Sequence, residues 1–457
     1  MLVTMNWTIF PFLLFLFGLT SAKNTTSCNS KDFFLHFHQC PHDPSNQVAS
    51  TTPVSPIYLL YDINPSEGFN LRRDVYIRLA VFLRGLQKHR SYANTKLVLP
   101  PWSALYHWRS SPNQMHIPWA HFFDLDSMRR YADVIEMHQF FDEYRRNVGR
   151  DISVVRLDEF YRLQHFEDMF ENGVFVDKFE EAACQRNSIP SVGGVPGIMG
   201  YRNITINELI CMRFQGSASL LHSMFEKFKH KSRGMQRVIM LYHAETILHD
   251  HWGNADYWEA RRSMRFNKQL VRIADKFRLD FFNSSNERDR VQRPASWTEE
   301  RPYRKARGGE YLCAHLRRAD FLYGREKTTP SLRSASNQIK QRLLELGLRK
   351  VFISSDCDRT EFHELKNYLR RFKVVRFIPE SRQEAERLKD GGVAIVDQII
   401  CSHARYFVGT YESTFTYRIY EEREILGFAK DLTFNTFCKD EEVGGCEKNS
   451  VWPIQYG

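Results

Sequence analysis

At 457 residues, with 42% hydrophobic and 26% charged side chains, the chain is long enough to bury two cores of ordinary domain size. Its 64 Lys and Arg exceed its 54 Asp and Glu, for a formal net charge of +10. Acidic residues interleave with basic ones along the whole chain, which argues against the clustered footprint of a nucleic-acid binder; the surplus suits a small anionic ligand or an acidic partner surface.

The first elements concern targeting. Residues 1–22 read as a cleaved signal peptide: the apolar run Ile9 to Leu19 is short for a bilayer span, and Thr20, Ser21 and Ala22 supply the small residues of a cleavage site, although the n-region has no Lys or Arg. A polar leader, 23–54, follows. No later apolar run has spanning length, so the mature protein is expected without a membrane span, in a lumen or outside the cell. The sequons at Asn24, Asn203 and Asn283 agree. Nine cysteines in that setting imply disulfides with at least one thiol left over. Cys28 with Cys40, Cys184 with Cys211 and Cys438 with Cys446 sit in loop-rich sequence and are the expected pairs. Cys313, Cys357 and Cys401 lie in apolar patterns and read as small core residues.

Residues 55–290 form the expected first domain. Ile57 to Ile63 is a strand pattern and Leu71, Val75, Leu79, Phe82, Leu83 and Leu86 recur at helical spacing; Lys96 to Leu99 then closes a β-α-β unit. The turn Asn64-Pro65-Ser66-Glu67-Gly68-Phe69-Asn70 thus falls between a strand's carboxyl end and a helix start, where open α/β sheets place ligands. From Trp102 to Arg290 the pattern is mixed, with a helical region from about His243 to Phe277. The polar stretch Asn283 to Gly309 reads as a domain connection.

Residues 310–457 form the expected second domain. Strands are expected at Tyr311 to Leu316, Lys350 to Ser354, Val374 to Ile378 and Arg405 to Gly409. Helical patterns run through Phe362, Leu365, Leu369 and Phe372, and through Val393, Val396, Ile399 and Ile400. This alternation predicts a doubly wound parallel sheet, and the whole chain a pair of Rossmann-like domains facing across a cleft.

Two strand-to-helix junctions here suit a diphosphate. One strand ends in His315-Leu316-Arg317-Arg318, and another leads to Ser413-Thr414-Phe415 at a helix start; free N–H groups and a guanidinium together bind phosphate oxygens. The bland alternative makes Ser413 an N-cap and Arg317 a surface ion-pair partner. His249 and His251 lack HExxH spacing, and Asp356-Cys357-Asp358 has the D-x-D form of some cation sites but lies in a charged strand end, so no metal is expected. Walker and GxSxG motifs are absent from the sequence.

Taken together, Tyr61-Asp62-Ile63-Asn64-Pro65-Ser66-Glu67-Gly68-Phe69-Asn70, Leu99-Pro100-Pro101-Trp102, His315-Leu316-Arg317-Arg318, Asp390-Gly391-Gly392 through Asp397-Gln398, Ser413-Thr414-Phe415 and Glu421-Glu422-Arg423 resemble the GDP-fucose protein O-fucosyltransferase family, in the family's order. The resemblance implies a GT-B-like architecture and a metal-independent, inverting transfer of fucose from GDP-fucose to Ser or Thr hydroxyls of folded thrombospondin type 1 repeats, in the lumen of the endoplasmic reticulum, with the Golgi as the alternative compartment. No cofactor is implied. Glu67 matches the base, with Arg317 as its catalytic counterpart; Ser66, Gly68, Phe69 and Asn70 match cleft positions near the donor. His315, Leu316 and Arg317 match the pyrophosphate contact, and Asp397, Ser413, Thr414 and Phe415 the nucleotide contacts. Glu422 matches an acidic position the family needs. Ser66 stands where a second proline is familiar, and Ala319 replaces a basic residue. Rival readings are another acceptor, such as an epidermal-growth-factor-like repeat, or a non-catalytic binder of folded repeats.

Overall fold

The run Ile57–Asp62 (β1) is apolar in both phases of its alternation, and both phases are buried. Ile57, Leu59 and Tyr61 enter one apolar cluster while Tyr58 and Leu60 enter another, as expected of a central strand covered on both faces. The computed structural model describes residues 56–457 apart from 109, 111–112, 150–152, 168–174, 185–190, 193–194, 229–235 and 441–450. The signal peptide, the leader, Asn24 and the Cys28–Cys40 pair lie outside the described residues, as does Cys446.

After β1 come Phe69–Leu86 (α1), Thr95–Leu99 (β2), Leu125–Arg129 (α2), Val134–Glu136 (β3), Met137–Val148 (α3), Val155–Gln164 (β4), Lys178–Glu181 (β5), the small hairpin Ser191–Val192 (β6) and Val195–Pro196 (β7), Ile204–Ser217 (β8), Leu220–Lys227 (α4), Arg237–Tyr242 (β9), Ile247–Leu248 (β10), Ala255–Ser263 (α5) and Lys268–Phe282 (α6). The parallel sheet runs in the order β10-β8-β4-β9-β1-β2-β3, with β5 antiparallel on β8. The expected β-α-β unit is present. The helical region from His243 is broken: His243 takes a left-handed φ of 66°, the short strand β10 follows, and the helices start only at Ala255.

The remaining elements are Gly309–Leu316 (β11), Phe321–Gly324 (α7), Leu332–Glu345 (α8), Lys350–Ser355 (β12), Arg359–Tyr368 (α9), Lys373–Val375 (β13), Arg382–Ser402 (α10), Ala404–Gly409 (β14), Thr414–Leu426 (α11) and Lys430–Thr433 (α12). They build a four-stranded parallel sheet, β13-β12-β11-β14. The third strand is shorter than its apolar run, because β13 is an edge strand and Ile378 beyond it is exposed. Each sheet is doubly wound. The chain steps outward one way from β1 through β2 to β3 and places β9 on the other side; from β11 it steps through β12 to β13 and places β14 on the other side. Both switch points fall at a strand whose carboxyl end carries a motif singled out above.

One apolar cluster spans both sheets. It takes Leu59 and Tyr61 from β1, the inner face of α1, Leu270 and Ala274 from α6, Ile395 and Ile399 from α10, and Tyr311 and Cys313 from β11. The segment Asn283 to Gly309 is more than a polar connection, since Val291, Trp297, Glu300 and Ala306 are buried within it. Helix α10 kinks at Lys389 (φ 60°), beside Gly391, where a β-carbon would stand 2.7 Å from Phe122 and 2.8 Å from Trp108.

Cys184 and Cys211 are bonded, as expected. Cys438 is also disulfide-bonded. Cys313 and Cys401 are not the free core thiols anticipated from their apolar setting; they are bonded to each other across β11 and α10. Sequence context marks burial, but it cannot show that a strand and a helix 88 positions apart bring two sulfurs together. Cys357 is a buried free thiol. Asn203 and Asn283 are both exposed.

Candidate active site

The turn after β1 is built by its own polar groups. Asn64 accepts from Ser66 N at 3.1 Å through its side chain and from Glu67 N at 2.9 Å through its carbonyl, closing a tight turn that Pro65 favours. Arg72, on the first turns of α1, reaches back to latch it. Its guanidinium donates to the carbonyls of Ile63, Asn64 and Glu67 at 3.1–3.3 Å and pairs with Asp62 at 3.3 Å. Phe69 anchors the start of the helix in an aromatic cluster with Trp102, Trp108, Phe122 and Phe123. Asn70 is buried and bonds Arg73 and Gln398. These two residues hold the turn in place, and of the stretch Ser66 to Asn70 only Ser66, Glu67 and Gly68 remain at least partly exposed.

Within this frame the Glu67 carboxylate makes no hydrogen bond among the described residues. Burial pushes its pKa up, against the pull of Arg72 and Arg78. Beside it, Glu245 accepts from Asn64 N at 3.1 Å; burial, reinforced by the Glu67 charge, pushes this second carboxyl up to about 7. Glu67 is thus a half-buried, unbonded carboxylate on a rigid turn, which is what a general base requires.

The second sheet meets this turn through His107. A β-carbon on Gly68 would lie 3.5 Å from His107 Cδ2, and Arg317 Nη2 lies 3.1 Å from His107 Nε2. Arg317 follows β11 directly. Asp320 at 2.9 Å and Asp356 at 2.8 Å orient its guanidinium, and its N–H donates to Thr410 Oγ1 at 2.8 Å. Leu316 packs in the core beneath α8, so its side chain is not available to a ligand. His315 is buried and stacks on Phe415 with centroids 4.4 Å apart. Burial and then the Arg317 charge push its pKa down to about 3, so the ring is neutral. Its tautomer follows from the network. The Thr416 hydroxyl spends its proton on the Thr410 carbonyl at 3.0 Å, so His315 Nδ1, 2.8 Å away, is the donor to Thr416 Oγ1, and Nε2 carries the lone pair. As it stands the ring takes a hydroxyl, and it takes a phosphate oxygen only once protonated.

Ser413 precedes α11 without its side chain capping the helix, and the first turn of α11 carries no acidic residue. Its N-terminal N–H groups therefore have no competing anion of their own. Asp397, on α10, accepts from Ser354 Oγ at 2.8 Å through Oδ2, while its buried Oδ1 has no hydrogen-bond partner among the described residues; burial pushes its pKa up to about 7. A buried, half-satisfied carboxylate is costly unless a ligand's donors complete it.

Other sequence candidates take structural roles. Glu422 is buried between Arg261 at 3.1 Å and Arg293 at 2.8 Å. The D-x-D pair is spoken for: Asp356 by Arg317 and Arg318 N, and Asp358 by the cap of α9. His249 bonds Asp74 at 3.0 Å, whereas His251 contacts Asn254, so the two imidazoles do not converge. Sequence reasoning missed His107 and Glu245. Neither lies in a motif; the signal available was only their type, a histidine after a Pro-Pro-Trp turn and an acid just past a strand.

The sequence model of the family described as GDP-fucose protein O-fucosyltransferase matches residues 58–426. Among curated proteins, GDP-fucose protein O-fucosyltransferase 2 of Drosophila melanogaster is 50% identical over 406 residues, covering 87% of this chain and 82% of that protein. The Homo sapiens protein of the same name is 42% identical over 405 residues, covering 87% and 90%. Among solved structures, POFUT1 in complex with GDP-fucose superposes with a TM-score of 0.51 at 16% identity, covering 85% of this chain and 99% of that one, a likeness of fold.

Proposed function

The chain belongs to the GDP-fucose protein O-fucosyltransferase family, and on that premise we propose that it transfers fucose, with inversion, from GDP-fucose to a Ser or Thr hydroxyl of folded thrombospondin type 1 repeats. It is a glycosyltransferase, and its two parallel sheets make the GT-B fold of fucosyltransferases. The observation that carries the mechanism is the unbonded Glu67 carboxylate on a turn whose Gly68 packs against His107, the same histidine that contacts the guanidinium of Arg317 after the other sheet's β11. Inversion is a single in-line displacement. The acceptor hydroxyl must lose a proton as the sugar–phosphate bond breaks, and negative charge grows on the departing diphosphate. Glu67, with its raised pKa, takes the proton; Arg317, held by Asp320 and Asp356, offsets the charge on the leaving group.

The remaining groups place the donor. The free N-terminus of α11 at Ser413, Thr414 and Phe415 suits the phosphates. The orphan Oδ1 of Asp397 suits the N–H edge of guanine, and His315 Nε2 a ribose or sugar hydroxyl. The acceptor class and a location in the endoplasmic reticulum lumen rest on the sequence resemblance and the signal-like N-terminus. Among the described residues no helix is long and apolar enough to cross a membrane. The cation role falls to Arg317, so transfer should persist in excess EDTA.

The test is Glu67→Gln. It keeps shape but cannot accept a proton, so kcat should fall by roughly 10² to 10⁴ while calorimetric GDP-fucose affinity and melting temperature hold. Arg317→Ala should instead weaken GDP binding as well. A Glu67→Gln enzyme with near-normal turnover would overturn the assignment.

A further inference from the structure

Beside the Glu67 turn lies a pocket lined by Asp62, Pro65, Arg72, Pro101, Ser103, Ala104 and Met199. It sits at the carboxyl ends of β1 and β2, two residues from Glu67. Three features mark it as a built site. Asp62 is only 5% exposed; its Oδ1 is used by Ile63 N and Arg72, while Oδ2 has no hydrogen-bond partner among the described residues. A carboxylate oxygen in such a wall selects a hydrogen-bond donor. The lining is also partly apolar, with Pro65, Pro101 and the buried Met199. The third feature is backbone strain. Ala104 (φ 44°), Met199 (φ 53°) and the supporting His116 (φ 51°) all hold left-handed conformations without being glycine. His116 is tied to both other segments, its N–H donating to Ser103 Oγ at 2.8 Å and its ring lying 3.3 Å from Met199 O. Such conformations persist where surrounding structure enforces them, commonly at ligand sites.

None of the groups assigned to the donor (His315, Arg317, Asp397 and the start of α11) lines this pocket. In-line displacement requires the attacking hydroxyl to arrive from the side opposite the diphosphate. We propose that this pocket is an acceptor subsite, receiving from the polypeptide segment that flanks the target hydroxyl a small group that donates a hydrogen bond to Asp62 Oδ2 and packs against Pro65, Pro101 and Met199. The assignment rests on the acceptor reading given above and names the residues that would carry its specificity.

Steady-state kinetics on the whole enzyme separate the possibilities, using a refolded thrombospondin type 1 repeat as acceptor and, in parallel, GDP release without acceptor as a measure of transfer to water. Met199→Phe fills the pocket and should raise the acceptor KM tenfold or more, leaving the GDP-fucose KM and acceptor-free GDP release within twofold of wild type. Asp62→Asn keeps an acceptor for Ile63 N while turning Oδ2 into a donor. It should raise the acceptor KM similarly with the GDP-fucose KM within twofold of wild type, even where loss of the Arg72 ion pair lowers the melting temperature, and it keeps the test open should Met199→Phe fail to fold. Wild-type acceptor KM in both variants would overturn the pocket alone. A GDP-fucose KM that rises with the acceptor KM unchanged would also overturn it, by making the pocket the sugar's. Wild-type enzyme that hydrolyses GDP-fucose yet transfers none to the repeat would sink the acceptor reading and the subsite with it.

Discussion

Asp397 sits where folding and binding pull in opposite directions. Burial raises its pKa from an ordinary 3.8 to about 7, so the folded chain keeps the proton over a range in which the unfolded chain has lost it. This group's contribution to stability is therefore full below about pH 4 and is lost as pH rises through 7. A ligand that donates N–H groups to Oδ1 reverses the preference by favouring the carboxylate. GDP affinity should then tighten as pH rises toward 7, by about tenfold per unit on the acid side, and level off above it. Asp397→Asn should bind GDP more weakly at pH 8 and lack this slope in calorimetric titrations from pH 5.5 to 8. The phosphate's own titration is common to both proteins, so the difference between the two curves isolates the residue. Parallel curves would remove Asp397 from the nucleotide site.

Two helices carry the electrostatics that hold the site's halves together. From α11, Glu421 bonds Arg261 at 2.6 Å and Arg418 at 3.1 Å; Arg418 reaches Asp74 on α1 at 3.2 Å, and Asp74 pairs with Arg78 and His249. All these groups are nearly or fully buried. Glu422 completes the partners of Arg261 and Arg293 in the same network, so any effect of its loss on activity is expected to come through the packing of these helices. Glu421→Ala leaves two buried guanidinium groups short of a partner and should cost about 3–5 kcal/mol in denaturant unfolding, since uncompensated buried charge is the expensive outcome. Its effect on kcat should follow the folded fraction. On α10, Gly391→Leu would drive a side chain into Trp108 and Phe122 and should cost about 1–3 kcal/mol. That helix is clamped by the loop carrying His107, with Asp390 bonding Ser110 N at 3.1 Å and Gln114 Nε2 at 3.2 Å, so donor affinity should fall alongside stability.

At the scale of the whole molecule, the proposed base Glu67 and the proposed cation Arg317 come from different sheets, yet one apolar cluster joins those sheets. Such a scaffold suits reading a preformed surface rather than threading a linear peptide. A repeat that has been reduced and alkylated keeps its target hydroxyl but loses its shape, and should accept fucose at less than a tenth of the folded rate in a radiolabelled GDP-fucose assay. Equal rates on both would point to recognition of a short linear motif.

Local patterning was enough for the parallel strands β1, β2, β11, β12 and β14 and for the helices α1, α9 and α11. Near-continuous apolar strands alternating with 3.6-residue periodicity have few other solutions. The same patterning showed that Glu67, Arg317 and Ser413 follow strands whose ends open toward a ligand. It was silent between Trp102 and Arg290, where aromatic loops and the broken region after His243 obey no single period. Only the tertiary structure paired Cys313 with Cys401, turned Phe69, Asn70 and Glu422 inward, brought His107 between Gly68 and Arg317, and left one oxygen each on Asp62 and Asp397 without a hydrogen-bond partner among the described residues. Those facts depend on distances between segments far apart in the chain. Residue type and spacing do not encode such distances, whereas sheet order and helix packing set them.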